Sequence, residues 1–336
     1  MTYGSGALGC LGECRLYQRS AISGLVAAKP LMSGGPLSLP LRVFHLLTLA
    51  SGDSVAGHGD YEDIEQPRIV ESLLSVEVAN VSAGSAHMAT TTNDGQVYTW
   101  GCGDNGRLAL GNDEGQCCPQ LVAPHGGHNV ATVLCADDCT FFITQGGSLM
   151  ASGSNRHNKA GLKDKVDTVA STAGSGMMLS AEEAHTMMPV KAPALEGAVA
   201  AVACGISHTA VLTTSGEVYT FGSNSHGQLG RSTAPALPDK VPIPEEVKMV
   251  ACGDNFTMAV TVDNKLYGWG KATEGRLPIQ SAEDLHYTEA VHSPVLVDLK
   301  TRAADLNTSH VVIAGIVCKF NIGMLLMTAE PSAPGS

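Results

Sequence analysis

Histidine, cysteine and glycine are the residues through which this 336-residue chain could do chemistry, and their spacing decides what that chemistry can be. Residues 4–9 and 101–106 each fit G-x-G-x-x-G, a spacing that seats a dinucleotide pyrophosphate when it joins a strand to a helix. No helical pattern follows either one, so both read as glycine-paced corners and no cofactor is expected. Nor are they a kinase phosphate loop, because Val-Ala-x-Lys, His-Arg-Asp and Asp-Phe-Gly are all missing downstream. Ten cysteines are present, but Cys10/Cys14, Cys117/Cys118 and Cys135/Cys139 lack the two-plus-two spacing of a zinc site, so no metal is expected. His87 and His208 occupy one position of a recurring pattern whose other copies carry Cys139 and Phe256. A catalytic group would not be repeated unit by unit, which leaves a structural role in a turn or a place on a partner-binding face. Asp137, Asp138, Asp254 and Asn255 fall in the same class of turn. The candidate partner-binding residues are therefore His87, Asp138, His208 and Asn255. No Ser/His/Asp or paired-carboxylate constellation follows from spacing, and the chain reads as non-catalytic.

What must position these residues is a unit of fixed internal spacing. Gly84, Ala136, Gly205 and Gly253 each close a short apolar run, and 17 residues later stand Gly101, Gly153, Gly222 and Gly270. From unit to unit the interval runs 52, 69 and 48 residues, so rigid pieces are joined by elastic connections, as in a repeat protein. Each piece reads as a strand, a turn and a second strand, as over 199–204 and 209–213. A tight hairpin turn at Asp94-Gly95, Ser215-Gly216 or Asp263-Asn264 leads to a third strand, as over 217–221. A glycine corner such as 222–230 follows, then a short fourth strand around a proline, at 119–122 and 294–297. Four strands in about 40–50 residues make a propeller blade, which needs neighbours to bury its faces. Cys135, Cys204, Cys252 and Cys318 all end the first strand, so they are expected as small buried hydrophobes that do not pair with each other. That usage fits a reducing cytosolic or nuclear compartment.

The pattern over 202–230, V-x-C-G-x-x-H-T-x-x-L-T-x-x-G-x-V-Y-x-x-G-x-N-x-x-G-Q-L-G, resembles the regulator-of-chromosome-condensation repeat. The resemblance implies an all-β, seven-bladed β-propeller, with about four to five blades represented here. Units lie near 78–111, 130–162, 199–230 and 247–277, with a partial one at 313–327, inside a propeller region of 58–327. Residues 1–12 read as the end of a truncated blade and 328–336 as a tail. Seven blades need roughly 350–400 residues, so a fragment or an incomplete gene model is the expectation. Residues 13–57 break the period and read as a non-propeller insert of retained-intron type, with a long surface loop as the alternative. The excursion 163–197 reads as a flexible surface loop. Its alternative is a docking segment with Met177, Met178, Met187 and Met188 as adaptable contacts.

Stretches 3–12, 58–74, 97–111, 141–162 and 266–280, in that order, resemble the C-terminal propeller of never-in-mitosis-A-related serine/threonine protein kinases. The resemblance implies a regulatory or targeting module in cell-cycle, centrosome or cilium functions. Its partner would be a kinase domain in cis or a cytoskeletal, centrosomal or ciliary protein, and kinase motifs are absent from this chain. The alternative in the wider family is a guanine-nucleotide exchange factor for a Ran-like small GTPase. A net charge of −12 counts against nucleic-acid binding by backbone neutralisation. No secretory signal or bilayer-length apolar stretch is seen, so no membrane role is expected. The expected site is the cytoplasm, at the centrosome or cilium, with the nucleus as alternative.

Overall fold

The computed structural model describes residues 26–30, 44–48, 57–59, 68–123, 126–127, 129–162, 183–231, 238–273, 277, 290–297 and 311–329. Its first strands, β1 (Val26–Pro30), β2 (Phe44–Thr48) and β3 (Arg68–Ile69), form one three-stranded sheet. Four four-stranded antiparallel sheets follow, each in chain order. Blade 1 holds β4 (Val78–Ala83), β5 (His87–Thr92), β6 (Val97–Gly101) and β7 (Gln116–Leu121). Blade 2 holds β8 (Val130–Cys135), β9 (Cys139–Thr144), β10 (Leu149–Ser154) and β11 (Glu183–Pro189). Blade 3 holds β12 (Val199–Cys204), β13 (His208–Thr213), β14 (Val218–Gly222) and β15 (Asp239–Lys240). Blade 4 holds β16 (Val247–Cys252), β17 (Phe256–Thr261), β18 (Leu266–Lys271) and β19 (Ala290–Val297). A hairpin of β20 (Val311–Lys319) and β21 (Ile322–Ala329) stands as a partial blade 5. Among the described residues the helical elements are single 3-10 turns.

The chain divides into two compact units, Met1–Ser154 with Glu183–Pro189, and Asn155–Glu182 with Val190–Ser336. Blades 1 and 2 pack together in the first; blades 3, 4 and the hairpin do so in the second. Two parts of the sequence organisation look different in three dimensions. Strands β1 and β2 lie inside the 13–57 stretch, and repeat-like packing is in place at its last residue. Gly57 (φ 82) sits against the Trp100 indole as Gly230 (φ 66) sits against Trp269. In the excursion, residues 163–182 and hence Met177 and Met178 lie outside the described residues. Residues 183–189 are the fourth strand of blade 2, hydrogen-bonded to β10. Met187 is thus a core residue packed with Val133 and Phe142 rather than a surface contact, while Met188 is exposed.

Local sequence explains each element. The second strands β5, β9, β13 and β17 are buried along their whole length, so they carry no polar-apolar alternation. Each ends in a threonine, and that hydroxyl accepts the N–H four residues on, at 2.9 Å in Thr92 and 3.0 Å in Thr144, Thr213 and Thr261. The turn between takes positive φ at its second residue, as at Gly95 (φ 84), Gly216 (φ 76) and Asn264 (φ 64), where only residues tolerant of that region fit. The first strands of blades 1 to 4 bulge just after their first residue, Val78, Val130, Val199 and Val247, and β20 bulges after its third, Ile313; the side chain before the bulge is buried in all five.

Candidate functional site in the turns between first and second strands

The turns at 84–86, 136–138, 205–207 and 253–255 join the first two strands of each blade. The first N–H of each donates to the carbonyl three residues on, at 2.8 Å from Gly84 to His87, 2.9 Å from Ala136 to Cys139, 2.8 Å from Gly205 to His208 and 3.0 Å from Gly253 to Phe256. That closure folds the side chain of the third residue back over the first. A Cβ on Gly84, Gly205 or Gly253 would lie 2.7, 2.4 or 2.1 Å from a ring carbon of His87, His208 or Phe256, so a ring there demands glycine. Blade 2 has the small Cys139 instead, and it alone of the four can carry alanine, Ala136. The residue that starts the second strand also pairs with the glycine of the third: His87 with Gly101, Cys139 with Gly153, His208 with Gly222 and Phe256 with Gly270. Those glycines take φ between 97 and 109, and a Cβ on Gly222 would fall 2.5 Å from the Ser207 carbonyl. The 17-residue offset is the length of chain between these two glycine requirements.

His87 and His208 each reach into the next blade. His87 Nε2 lies 2.7 Å from Thr140 Oγ1, and the Thr140 hydroxyl donates to the Arg107 carbonyl at 2.7 Å. His208 Nε2 lies 2.9 Å from Thr257 Oγ1, which donates to the Gln228 carbonyl at 3.1 Å. A hydroxyl has one proton, and here the carbonyl takes it, so the threonine accepts from Nε2–H and Nδ1 is left bare. Nδ1 is buried without a partner in both rings. Burial lowers both histidines to about 3, with the Arg107 charge assisting at His87. They are neutral inter-blade struts, fully inaccessible to solvent, and their rings offer no surface to a partner. In blade 4 the ring is Phe256, and the next second strand carries Gly323 where Thr140 and Thr257 stand in the others.

A second set of contacts comes from the corners. Arg107 Nη1 donates to the Asp137 carbonyl at 3.2 Å, and Lys159 Nζ donates to the Ile206 carbonyl at 2.9 Å. Both side chains are buried, and each touches the second residue of a turn in another blade. Turns also bond to turns: Ser85 Oγ to the Asp137 carbonyl at 2.7 Å, Ile206 N to the Asp254 carbonyl at 3.2 Å and Asp254 N to the Phe320 carbonyl at 2.8 Å. Each unit therefore gathers its turns at one end of adjacent blades. The Asp138 and Asn255 side chains are half-buried there, beside Asp137 and Asp254, with backbone fixed by bonds from Ser154 N at 2.9 Å and Lys271 N at 2.8 Å. Burial pushes the Cys135 thiol up to about 12 and, with Cys204 beside it, raises the Cys252 thiol well above the ordinary range, so neither is a thiolate nucleophile. What these turns present is a set of fixed hydrogen-bonding groups. Thr140, Thr257, Arg107 and Lys159 were not singled out from sequence, although the last two recur six residues past Gly101 and Gly153.

A family model described as the RCC1-like domain matches residues 45–318. Among curated relatives, the serine/threonine-protein kinase Nek8 of Danio rerio is 38% identical over 189 residues, covering 56% of this chain and 26% of Nek8. Nek9 of Xenopus laevis is 34% identical over 170 residues, covering 50% of this chain and 17% of Nek9. The chain thus spans about a quarter or less of these relatives. Human WBSCR16 superposes with a TM-score of 0.64 at 20% identity, over 88% of this chain and 75% of that one. Yeast RCC1 (Prp20), solved with Kap60, gives 0.64 at 22% identity, over 82% of this chain and 61% of that one. At these identities the likeness is one of fold.

Proposed function

Because this chain belongs to the RCC1-like domain family and has its β-propeller fold, we propose that it is a protein-interaction module that regulates or targets a Nek-type kinase. The observation that carries the reading is the turn end of each unit, where titratable rings are spent on packing and Asp138 and Asn255 are held half-exposed on rigid backbone. The 38% identity to Nek8 supports the kinase association. The partner is a kinase domain in cis or a cytoskeletal, centrosomal or ciliary protein, and the chain acts in the cytoplasm at those structures. Such a face binds by preformed geometry and so avoids part of the ordering cost of association.

The experiment is a binding and activity titration of the chain against the catalytic domain of a Nek8-type kinase. Binding that falls in an Asp138→Lys, Asn255→Lys double variant, with stability unchanged, is the expected result. The second reading, a nucleotide exchanger for a Ran-like GTPase, is favoured by the fold likeness to Prp20p, a protein whose binding to Gsp1p and histones has been measured. Nucleotide release from a Ran-like GTPase, accelerated by the chain, would replace the first reading with the second.

A further inference from the structure

We propose that Asp113, Glu183 and His185 form a binding site for a divalent transition-metal ion of the Zn²⁺ class, tying the blade 1 corner to the outer strand of blade 2. His185 Nε2 and the Asp113 carboxylate are 3.0 Å apart, and one ligand atom from each of the three residues lies within 4.8 Å of the others. Two features of the fold assemble the set. Glu183 and His185 alternate along β11 and so point to one face, while Ala184 between them is turned into the core. Asp113 comes from the loop between β6 and β7, which is held against β11 by Gly111 N donating to the His185 carbonyl at 2.7 Å. The approach is close enough that a Cβ on Gly106 would fall 2.5 Å from the His185 Cα.

The donor set selects the ion. One imidazole nitrogen beside two carboxylates suits a borderline ion such as Zn²⁺, whereas Ca²⁺ and Mg²⁺ take oxygen ligands. Three protein ligands leave coordination positions for water. Glu183 is further oriented by Asn105 Nδ2, which donates to its Oε1 at 3.1 Å, the kind of outer contact that fixes a ligating carboxylate. His185 and Asp113 are 38% and 57% exposed, so an ion can enter without unfolding the chain. Spacing in the sequence hides the site, because Asp113 and Glu183 come from different blades.

The test is titration of the chelator-treated full chain with Zn²⁺ alone, against a fluorescent zinc competitor. One tight equivalent is expected, weakened at least about 10-fold in both His185→Ala and Glu183→Gln. Asn105→Gly keeps the left-handed backbone of Asn105 (φ 61) and should weaken binding by about 10-fold. Because the chain has ten cysteines, Co²⁺ substitution is the second readout, and the bound spectrum should lack a thiolate charge-transfer band. A smaller loss in either ligand variant, or a thiolate band, would overturn the proposal.

Discussion

Replacing Thr257 with valine tests the inter-blade strut at its weakest point. Valine keeps the shape and removes the hydroxyl, so His208 Nε2–H loses its acceptor while fully buried. The Gln228 carbonyl keeps a donor, because Trp269 Nε1 reaches it at 2.9 Å. The loss is therefore one stranded buried donor, worth about 1–3 kcal/mol. His208→Phe should cost less, since Thr257 still donates to Gln228 and a phenylalanine already fits over the matching glycine in blade 4. The double variant leaves no unpaired group and should be more stable than the sum of the singles by about 1 kcal/mol or more. Urea unfolding followed through Trp269 fluorescence, in a Trp100→Phe background, would report this directly. Additive effects, or His208→Phe costing more than Thr257→Val, would refute the donor assignment and with it the tautomer.

Further consequences can be checked alongside. Gly205→Ala places a methyl 2.4 Å from the His208 ring and 2.5 Å from the Gly253 carbonyl, so it should cost about 1–3 kcal/mol by overpacking, while Ala136→Gly should be nearly neutral; thermal melts compare them. His87 and His208 have folded pKa values of about 3 against an ordinary 6.5, so the unfolded chain binds more protons between those values. Stability is therefore full above pH 6.5 and falls as pH drops toward 3, by up to about 1.4 kcal/mol per pH unit for each ring. Denaturant midpoints of a His87→Phe, His208→Phe variant should show a flatter acid limb. On β21, Ile322, Met324 and Leu326 are 64%, 67% and 65% exposed, an apolar row that promotes association. Met324→Lys with Leu326→Lys should lower concentration-dependent light scattering without shifting the melting temperature.

Much of this architecture is legible in the chain because its determinants are local. The hairpin turns and the two spaced positions of each unit, 17 residues apart, lie within a few strands of one another, so their spacing cannot drift. Ala136 looks like decay in the sequence; in the structure it is permitted by Cys139, three residues away. The candidate site divides on the same principle. Asp138 and Asn255 could be placed in turns from their neighbours alone. The burial of His87 and His208 could not, because Thr140 and Thr257 stand 53 and 49 residues away in the next blade.

The sequence by itself therefore determined the repeat, the three inner strands of each unit, the turn chemistry and the family, all properties of one unit and its own residues. Only the tertiary structure decided what each unit does to its neighbour. It turned two candidate recognition histidines into buried struts, made residues 183–189 a blade strand, and brought Asp113 to Glu183 and His185. The connections between units vary in length, so no fixed offset records which residues meet across them. Those meetings are set by sheet packing, where the free energy of a buried hydrogen bond or charge is decided by the partner it finds.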